Sequence, residues 1–324
     1  MKISIIGEIH PSGWEILKES KFEVFEIKNF EVNNLKQELK DVDGILLRTS
    51  KLEKDVLSEC NKLKIIARHG VGYDNVDYDY LSKNKIALSI TGTSNAVTVA
   101  EYVLTSFLSL ARKISFADKL VKEGRFKEKK ILPDFFELYK KKVLICGFGR
   151  IGKAVAKRCL GFESQVYVYD PFVEDEEIRK ANCINVEKNE GLKIADYITL
   201  HVPLNQNTKN FISTNEFDII KKTAIVVNAS RGGIINEEAL MTALENNQIQ
   251  AAALDVFEKE PPPEDHPIYK FNNVLLSPHN SALSLECRKR MSVEAASSIV
   301  NYLTNKEKLN LNNIVNKNKL GIKG

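Results

Sequence analysis

The sequence is poor in the features that mark several protein classes. Its five cysteines, at positions 60, 146, 159, 183 and 287, are scattered, with no CxxC pair and no nearby histidine to complete a metal site. Such an odd, dispersed set predicts buried thiols in a reducing compartment. No apolar run approaches the length of a membrane span, and the N-terminal run is too short for a signal peptide. We therefore expect a cytoplasmic protein with no bound metal and no membrane contact.

An excess of one charge is also lacking. The 47 Lys and Arg residues nearly balance the 43 Asp and Glu residues, leaving a net charge of +4, and the two signs are interspersed. This pattern offers no basic footprint for a nucleic acid, so no nucleic-acid partner is expected. A hydrophobic content of 43% is typical of a globular protein. At 324 residues the chain is too long for one ordinary core, which predicts two domains.

Short apolar runs recur along the chain, with helical segments between them. The runs are continuous rather than alternating, which is typical of strands buried on both faces of a parallel sheet. A first series covers 3–7, 22–27, 44–48, 64–68 and 87–90, and a second covers 143–147, 165–170, 197–202, 224–230, 251–257 and 273–278. We therefore predict an α/β protein with two doubly wound parallel-sheet domains.

Two longer helices are predicted outside these series. The segment 95–112 is apolar at helical spacing and long enough to link the two domains. The segment 285–303 also has a helical pattern, and its position suggests that the chain returns to the first domain. The Lys- and Asn-rich tail, 305–324, is expected to be partly mobile.

A glycine pattern indicates a cofactor site. The stretch VLICGFGRIGKAVAKRC places Gly147, Gly149 and Gly152 in GxGxxG spacing between a predicted strand and an amphipathic helix, and Asp170 ends the next strand. The first glycine allows a tight turn, the second a close approach of a pyrophosphate, and the third helix–strand packing. An ordinary strand–turn–helix is the alternative. Because Asp170 can accept hydrogen bonds from a ribose diol and would repel a 2′-phosphate, NAD is favoured over NADP.

Polar residues follow three strands of the second series. Arg231, the glutamates Glu258 and Glu260, and His279 each come just after a strand, where ligands bind in an open α/β sheet. A cation, a carboxylate and an imidazole suit the chemistry of a 2-oxo acid. The cation would hold the substrate carboxylate, the imidazole would transfer a proton, and the carboxylate would orient and charge-stabilise the imidazole. Taken singly, each side chain is equally compatible with a loop or surface role.

Seven segments in this order resemble the D-isomer-specific 2-hydroxyacid dehydrogenases along nearly the whole chain. They are 68–77, 95–101, 146–158, 200–212, 226–240, 253–262 and 275–282. The resemblance implies a flavodoxin-like substrate domain over 1–94 and 285–324 and a Rossmann NAD-binding domain over 95–284, with a homodimer formed through the NAD-binding domain. A regulatory domain of the kind that some family members append, and serine feedback through it, is not expected. The segment 129–143 lacks the family's glycine-rich lead into the nucleotide fold, so its local geometry is not predicted.

The resemblance also implies roles for individual residues. Arg231 would bind the substrate, His279 would be the acid/base, and Glu260 would be its partner, although His266 is nearer to Glu260 in sequence. Asp255 would lie near the nicotinamide amide. The positions implied to line the cofactor are Gly147, Gly149, Arg150, Ile151, Gly152, Asp170, His201, Val202, Pro203, Thr208, Ala229, Ser230, Arg231, Asp255 and His279.

The substrate is the least determined part of the prediction. Val71 and Gly72 would hold the substrate carboxylate through backbone N–H groups, and Asn95 would also contact the substrate. Arg48 and Arg68 resemble the phosphate-binding positions of 3-phosphoglycerate dehydrogenases, which favours conversion of 3-phosphoglycerate to 3-phosphohydroxypyruvate. Glyoxylate, hydroxypyruvate and D-lactate-type substrates stay open. An NAD-sensing, corepressor-like binding protein is the alternative from another class, and a formate dehydrogenase is disfavoured because that family has glutamine at the position of Glu260.

Overall fold

The computed structural model describes residues 1–322 and confirms the predicted fold class. The chain divides into two compact units: unit 1 is Met1–Asn95 with the segment from Leu283 onwards, and unit 2 is Ala96–Ala282. Each unit is built on one fully parallel sheet. The last two residues of the predicted segment 285–324 lie outside the described residues.

The secondary-structure elements follow one another in α/β alternation. Within residues 1–322 the strands are β1 (Lys2–Ile6), β2 (Glu23–Ile27), β3 (Gly44–Leu47), β4 (Ile65–Arg68), β5 (Ala87–Ile90), β6 (Lys142–Cys146), β7 (Gln165–Tyr169), β8 (Ile184–Asn185), β9 (Tyr197–Leu200), β10 (Ile225–Asn228), β11 (Ala251–Leu254) and β12 (Val274–Leu276). The α-helices are α1 (Pro11–Glu19), α2 (Val32–Glu38), α3 (Lys54–Leu57), α4 (Tyr78–Lys83), α5 (Ala96–Arg112), α6 (Ile114–Lys122), α7 (Arg150–Gly161), α8 (Asp175–Lys180), α9 (Lys188–Ile194), α10 (Thr214–Phe217), α11 (Glu237–Glu245), α12 (Leu285–Thr304) and α13 (Lys317–Leu320). Short 3₁₀ helices cover Phe126–Ile131, Pro267–Lys270, Lys306–Lys308 and Leu311–Asn313. Across the described residues, no helix has both the length and the apolar character needed to cross a membrane.

Unit 1 has a five-stranded sheet in the order β2-β1-β3-β4-β5. This is the flavodoxin-type order of a doubly wound sheet. One face packs against α1 and α12, which bury Leu17, Ala295 and Ile299 against Ile5 and Leu46. The helix predicted at 285–303 is therefore confirmed as α12. It packs against α1, so this C-terminal segment belongs to unit 1.

Unit 2 has a seven-stranded sheet in the order β12-β11-β10-β9-β6-β7-β8. The order reverses direction between β6 and β9, as in the Rossmann fold. The central strands β9, β10 and β11 are fully buried, because α5 and α7 cover one side of the sheet and α11 covers the other. Strand β8 was not predicted, because its two residues, Ile184 and Asn185, are exposed at the sheet edge and carry no apolar run.

Residues 305–322 of the C-terminal tail make specific contacts with β5. The side chain of Asn316 is 1% exposed and bonds to both Leu88 N and Ile86 O, at 2.9 and 2.8 Å. Ile314 forms an antiparallel bridge with Ser89. Asn316, one of the asparagines that make the tail look polar in sequence, thus satisfies backbone groups at the free edge of β5.

Candidate active site

The predicted site residues of unit 2 lie along one edge of its sheet. Each follows the carboxyl end of a strand: Asp170 follows β7, Gly147 β6, His201 β9, Arg231 β10, and His279 comes soon after β12. The strands lie in the order β7-β6-β9-β10-β11-β12. The residues that follow them therefore occur along the edge in the same order, from Asp170 at one end to His279 at the other. This edge includes the reversal point between β6 and β9, where ligands bind in doubly wound folds.

The glycine turn has the shape that a dinucleotide requires. Gly147 has φ +97°, and a Cβ there would lie 2.6 Å from the carbonyl oxygen of His201, so no side chain is tolerated. A Cβ on Gly152 would clash with the carbonyl of Gly147, which explains the close helix–strand packing. A Cβ on Gly149 would meet no atom within 4 Å, which leaves open space in front of α7. Gly149 is also the N-cap of α7 and supplies no side chain to its first N–H groups, so these donors suit a pyrophosphate.

The carboxylate of Asp170 is fixed by the backbone. Its Oδ2 accepts a hydrogen bond from Phe148 N at 2.7 Å, and its Oδ1 accepts one from Phe172 N at 2.9 Å. A carboxylate oxygen has two lone pairs, so each oxygen keeps capacity for a ribose hydroxyl. The residues present therefore fit NAD.

The loop after β9 brings a buried histidine beside the glycine turn. The ring of His201 contacts the hydroxyl of Thr199 through Nε2 at 3.0 Å, and its Nδ1 has no partner among the described residues. Burial lowers the pKa of His201 to about 3, so the ring is neutral at physiological pH. Val202 and Pro203 follow, and Thr208 closes the loop by donating to Pro203 O at 2.5 Å.

The predicted glutamate–histidine pair is present. Glu260 Oε2 lies 2.7 Å from His279 Nδ1, and Glu260 Oε1 accepts a hydrogen bond from Phe257 N at 3.1 Å. The His279 and Glu260 side chains are 50% and 37% exposed. The pairing through Nδ1 leaves Nε2 of the ring for another partner. An apolar pocket of about 350 Å³ adjoins the pair and includes Pro261 and Tyr269 in its lining.

The loop after β10 holds Arg231. Asn228, 1% exposed at the end of β10, donates to Arg231 O at 2.9 Å and accepts from both the backbone N and the hydroxyl of Ser230. Arg231 in turn donates to Ser230 O at 2.6 Å, and Ala229 is buried beside them. Gly232 lies directly against the carbonyl of Phe257, where a Cβ would clash, so the Arg231 loop touches the loop that carries Glu260. Asn228 was not predicted; a polar residue ending a buried strand is the signal that could have found it.

Asp255 is fully buried at the end of β11. Its Oδ1 accepts from Asn280 N at 2.8 Å and from the Ser277 hydroxyl at 2.5 Å, and its Oδ2 accepts from Ser281 N at 2.9 Å. Ser277 in turn contacts the hydroxyl of Tyr102 on α5 at 2.7 Å. Neither Ser277 nor Tyr102 was predicted as part of the site.

A second histidine–glutamate pair lies nearby in sequence but is buried. His266 Nε2 is 3.2 Å from Glu237 Oε2, and these side chains are 12% and 11% exposed. Glu237 Oε1 accepts from Glu258 N, and Glu258 Oε1 accepts from Glu237 N, at 2.6 and 3.0 Å. Burial raises the pKa of Glu237, and Glu258 adds to the effect. His266 therefore ties the loop after β11 to α11 and does not reach Glu260.

The predicted substrate residues of unit 1 lie on or just after its sheet edge. Leu47 and Arg68 are register partners in β3 and β4, so Arg48 and Arg68 come from neighbouring strand ends. Arg68 donates to Asn75 Oδ1 at 2.9 Å and to His69 O at 3.2 Å, which shapes the loop between them. Within residues 1–322, the N–H groups of Val71 and Gly72 in that loop have no hydrogen-bond acceptor, as an anion-binding loop requires.

Two further polar residues of unit 1, Asn95 and His69, have buried side-chain atoms. Asn95, at the end of the unit, has a buried Oδ1 without a partner among the described residues. His69 was not predicted; its Nε2 lies 2.9 Å from the Ser292 hydroxyl. Burial, with the Arg48 charge nearby, lowers the pKa of His69 to about 4. No group of three or more His, Cys, Asp or Glu side chains in residues 1–322 could hold a metal ion.

Comparison with known proteins agrees with this geometry. The family model described as D-isomer specific 2-hydroxyacid dehydrogenase, NAD binding domain, matches residues 104–281. A D-3-phosphoglycerate dehydrogenase from Archaeoglobus fulgidus is 36% identical over 302 residues, which cover 93% of this chain and 57% of that relative. The chain thus spans less than two thirds of that relative's length.

Two other similarities cover more of the matched protein. A glyoxylate reductase from Korarchaeum cryptofilum is 34% identical over 269 residues, covering 82% of this chain and 81% of the relative. The solved structure of an NAD-dependent formate dehydrogenase from Staphylococcus aureus in complex with NAD has a TM-score of 0.81 and 28% identity, and the match covers 94% of this chain and 96% of that one.

Proposed function

Because the chain belongs to the D-isomer-specific 2-hydroxyacid dehydrogenases, we propose that it is an NAD-dependent enzyme that interconverts a D-2-hydroxy acid and its 2-oxo acid. The observation that carries the proposal is the 2.7 Å contact between His279 and Glu260, at the same sheet edge as the Gly147 turn. A proton-transferring pair and a dinucleotide cradle on one edge are the two parts that this reaction needs.

The proposed reaction assigns one task to each residue. NAD, when bound, would accept or supply the hydride. His279 would give its proton to the carbonyl oxygen during reduction and take it from the hydroxyl during oxidation, through the ring nitrogen that does not face Glu260. Glu260 would orient the ring and stabilise its protonated form. Arg231 would hold the substrate carboxylate, since a guanidinium can bind it through two parallel hydrogen bonds.

Asp170 supports NAD rather than NADP as the cofactor. Its carboxylate is held by two backbone N–H groups and cannot swing away from a ribose. A 2′-phosphate at that place would meet a fixed negative charge, and the acidic residues at the start of α8, Asp175 and Glu176, add to the repulsion.

We propose 3-phosphoglycerate and 3-phosphohydroxypyruvate as the substrate pair. Arg48 and Arg68 support this choice, because two guanidinium groups at adjacent strand ends suit a phosphate dianion. Glyoxylate or hydroxypyruvate reduction is the second candidate, favoured by the relative of which the chain covers 81%. Hydroxypyruvate lacks only the phosphate of 3-phosphohydroxypyruvate, and glyoxylate lacks the whole phosphorylated CH2O group, so the two candidates can be separated directly.

The test compares NADH oxidation with 3-phosphohydroxypyruvate, hydroxypyruvate, glyoxylate and pyruvate. We expect kcat/KM to be highest for 3-phosphohydroxypyruvate, and Arg48→Met to abolish its advantage over hydroxypyruvate. Lys62→Met is the matched control, because Lys62 is an exposed cation of the same unit paired with Asp41. A higher kcat/KM of the wild type for hydroxypyruvate or glyoxylate would instead support glyoxylate or hydroxypyruvate reduction and rule out 3-phosphohydroxypyruvate as the preferred substrate. NADH binding without turnover of any acid would instead favour an NAD-sensing protein.

We also propose that the enzyme is a homodimer through unit 2. Large exposed apolar side chains recur along α6 and the segment that leads from it to β6, and apolar surface of this kind marks protein–protein interfaces where it is contiguous. They are Ile114, Phe116, Val121, Phe126, Ile131, Phe135 and Tyr139. In analytical ultracentrifugation the wild type should sediment as a dimer, and Phe126→Asp should shift it towards monomer. A wild type that sediments as a monomer would contradict the proposal.

A further inference from the structure

His279 has an unusual backbone conformation for a residue with a side chain. Its φ is +50°, in the left-handed region that favours glycine. Such a conformation persists in a folded protein only where the surrounding contacts impose it. The orientation of the imidazole towards Glu260 therefore depends on whatever holds this turn.

Most of the contacts that hold the turn converge on Asp255. The backbone N of His279 donates to Asp255 O at 2.8 Å. The next two backbone N–H groups, of Asn280 and Ser281, donate to the Asp255 carboxylate at 2.8 and 2.9 Å. Charge-assisted hydrogen bonds of this kind are stronger than neutral ones. The residues that flank His279 are thus fastened to one buried side chain.

The Asp255 carboxylate is itself held by a relay of two hydroxyls. The Ser277 hydroxyl donates its single hydrogen to Asp255 Oδ1 at 2.5 Å. Ser277 can therefore only accept at its 2.7 Å contact with Tyr102, so the Tyr102 hydroxyl is the donor. Burial raises the pKa of Tyr102, which keeps this hydrogen in place. The relay runs from α5 through the end of β12 to the end of β11.

We propose that Tyr102, Ser277 and Asp255 form a positioning network that holds His279 in the orientation in which it meets Glu260; this inference rests on the function proposed above. None of the three transfers the proton. They instead increase the fraction of molecules in which the His279 imidazole is correctly oriented. Loss of a hydroxyl from the network should therefore lower kcat and leave the binding of NADH unchanged.

The test uses variants that remove or restore one hydroxyl in the full-length protein. Ser277→Ala should lower kcat for the preferred 2-oxo acid about tenfold, and Tyr102→Phe about threefold, as expected for loss of one hydrogen bond to a charged or linked group. The KM for NADH should change by less than about twofold in both. Ser277→Thr keeps the hydroxyl and should restore kcat. Tyr197→Phe is the matched control, because that buried hydroxyl donates to Glu137 O at 2.9 Å, outside the network.

A second readout does not depend on turnover. In protein labelled with ¹⁵N-histidine, the ring resonances of His279, assigned with His279→Gln, should shift and broaden in Ser277→Ala, while those of His266 stay in place. If Ser277→Ala does not fold, Tyr102→Phe provides the same comparison. Equal loss of kcat in Ser277→Ala and Ser277→Thr, or unchanged His279 resonances in the folded variants, would overturn the network. If the wild type reduces no acid, the proposed function fails and the resonances alone decide the inference.

Discussion

Unit 2 contains two histidine–glutamate pairs that differ chiefly in exposure. His279 and Glu260 are 50% and 37% exposed, and His266 and Glu237 are 12% and 11% exposed. The exposed pair has a free ring nitrogen at the sheet edge, where a ligand can reach it. The buried pair is enclosed between Phe257 and Tyr269, with His266 Nδ1 accepting from Ile268 N as the cap of a 3₁₀ helix. The same two side chains can thus serve chemistry in one place and structure in the other.

The difference follows from what each pair still has to offer. Both nitrogens of His266 are used within the fold, so its imidazole fastens the loop after β11 to α11. Only Nδ1 of His279 is used, so its ring can exchange a proton with a bound molecule. Proximity in sequence is a poor guide to pairing, because Glu260 is six residues from His266 and nineteen from His279, its partner.

The largest effect should come from removing the exposed imidazole. His279→Ala should reduce kcat by about 10²–10⁴-fold, the range for loss of a general acid/base. Steady-state NADH oxidation with the preferred acid measures the loss, and NADH fluorescence titration separates it from any change in cofactor affinity. An activity close to the wild type would remove His279 from the chemistry.

The buried pair should give the complementary result. His266→Ala leaves the Glu237 carboxylate buried without its partner, and should lower the free energy of unfolding by about 2–3 kcal/mol. Among molecules that stay folded, kcat should change little, because His266 does not touch Glu260. Urea denaturation and kcat measured on the same sample separate the two effects.

Glu245→Gln is the baseline for that measurement. It breaks the exposed Lys270–Glu245 pair of the same unit and should change stability by less than about 0.5 kcal/mol. A His266→Ala protein as stable as this control would show that the buried pair does not stabilise the fold. Intact stability with abolished kcat would show that His266 takes part in the reaction.

A third kind of histidine, buried without an acid, should make stability depend on pH. The pKa of His69 is about 4 in the fold and about 6.5 when unfolded, so the unfolded chain takes up the proton first. Above pH ~6.5 the neutral His69 does not reduce the free energy of unfolding. As the pH falls towards 4, the free energy of unfolding decreases by up to about 1.4 kcal/mol per pH unit. The groups facing its ring are Arg48, Arg68, the Ser292 hydroxyl and the Arg288 carbonyl, and none of them is acidic.

The free energy of unfolding, measured with urea, should fall between pH 7 and pH 5 in the wild type. In His69→Gln this fall should be smaller by about 2 kcal/mol. The buried His201 acts in the same direction and stays in both proteins, so the comparison isolates His69. An identical pH dependence in the two proteins would mean that His69 is not held neutral.

The smallest effect should come from neutralising the exposed pair's carboxylate. Glu260→Gln keeps a hydrogen-bond partner for His279 but removes the charge, so kcat should fall about tenfold at neutral pH. Steady-state NADH oxidation with the preferred acid measures the loss. An unchanged kcat in Glu260→Gln would show that the charge of Glu260 plays no part in the reaction.

Sequence patterns predicted the parts of the molecule that follow from local chemistry. The buried strands were recognisable from continuous apolar runs, and the approach of a glutamate to His279 followed because parallel strands end at one edge. The choice of Glu260 over Glu258 came from the family resemblance and not from the strand pattern. Strand β8 carries no such run and was missed. The burial of His266 was missed as well, because a polar loop between prolines looks exposed in sequence. The contact between Tyr102 and Ser277 joins residues 175 positions apart, and no local pattern encodes it.

Gly232 sets a limit on how the candidate site could be redesigned. The Arg231 loop and the Glu260 loop are pressed together at that glycine, where no larger residue fits against Phe257. An insertion or substitution meant to enlarge one loop for a bulkier acid would displace the other and, with it, the partner of His279. Attempts to alter substrate range should therefore leave this junction untouched and vary Arg48 of unit 1 instead.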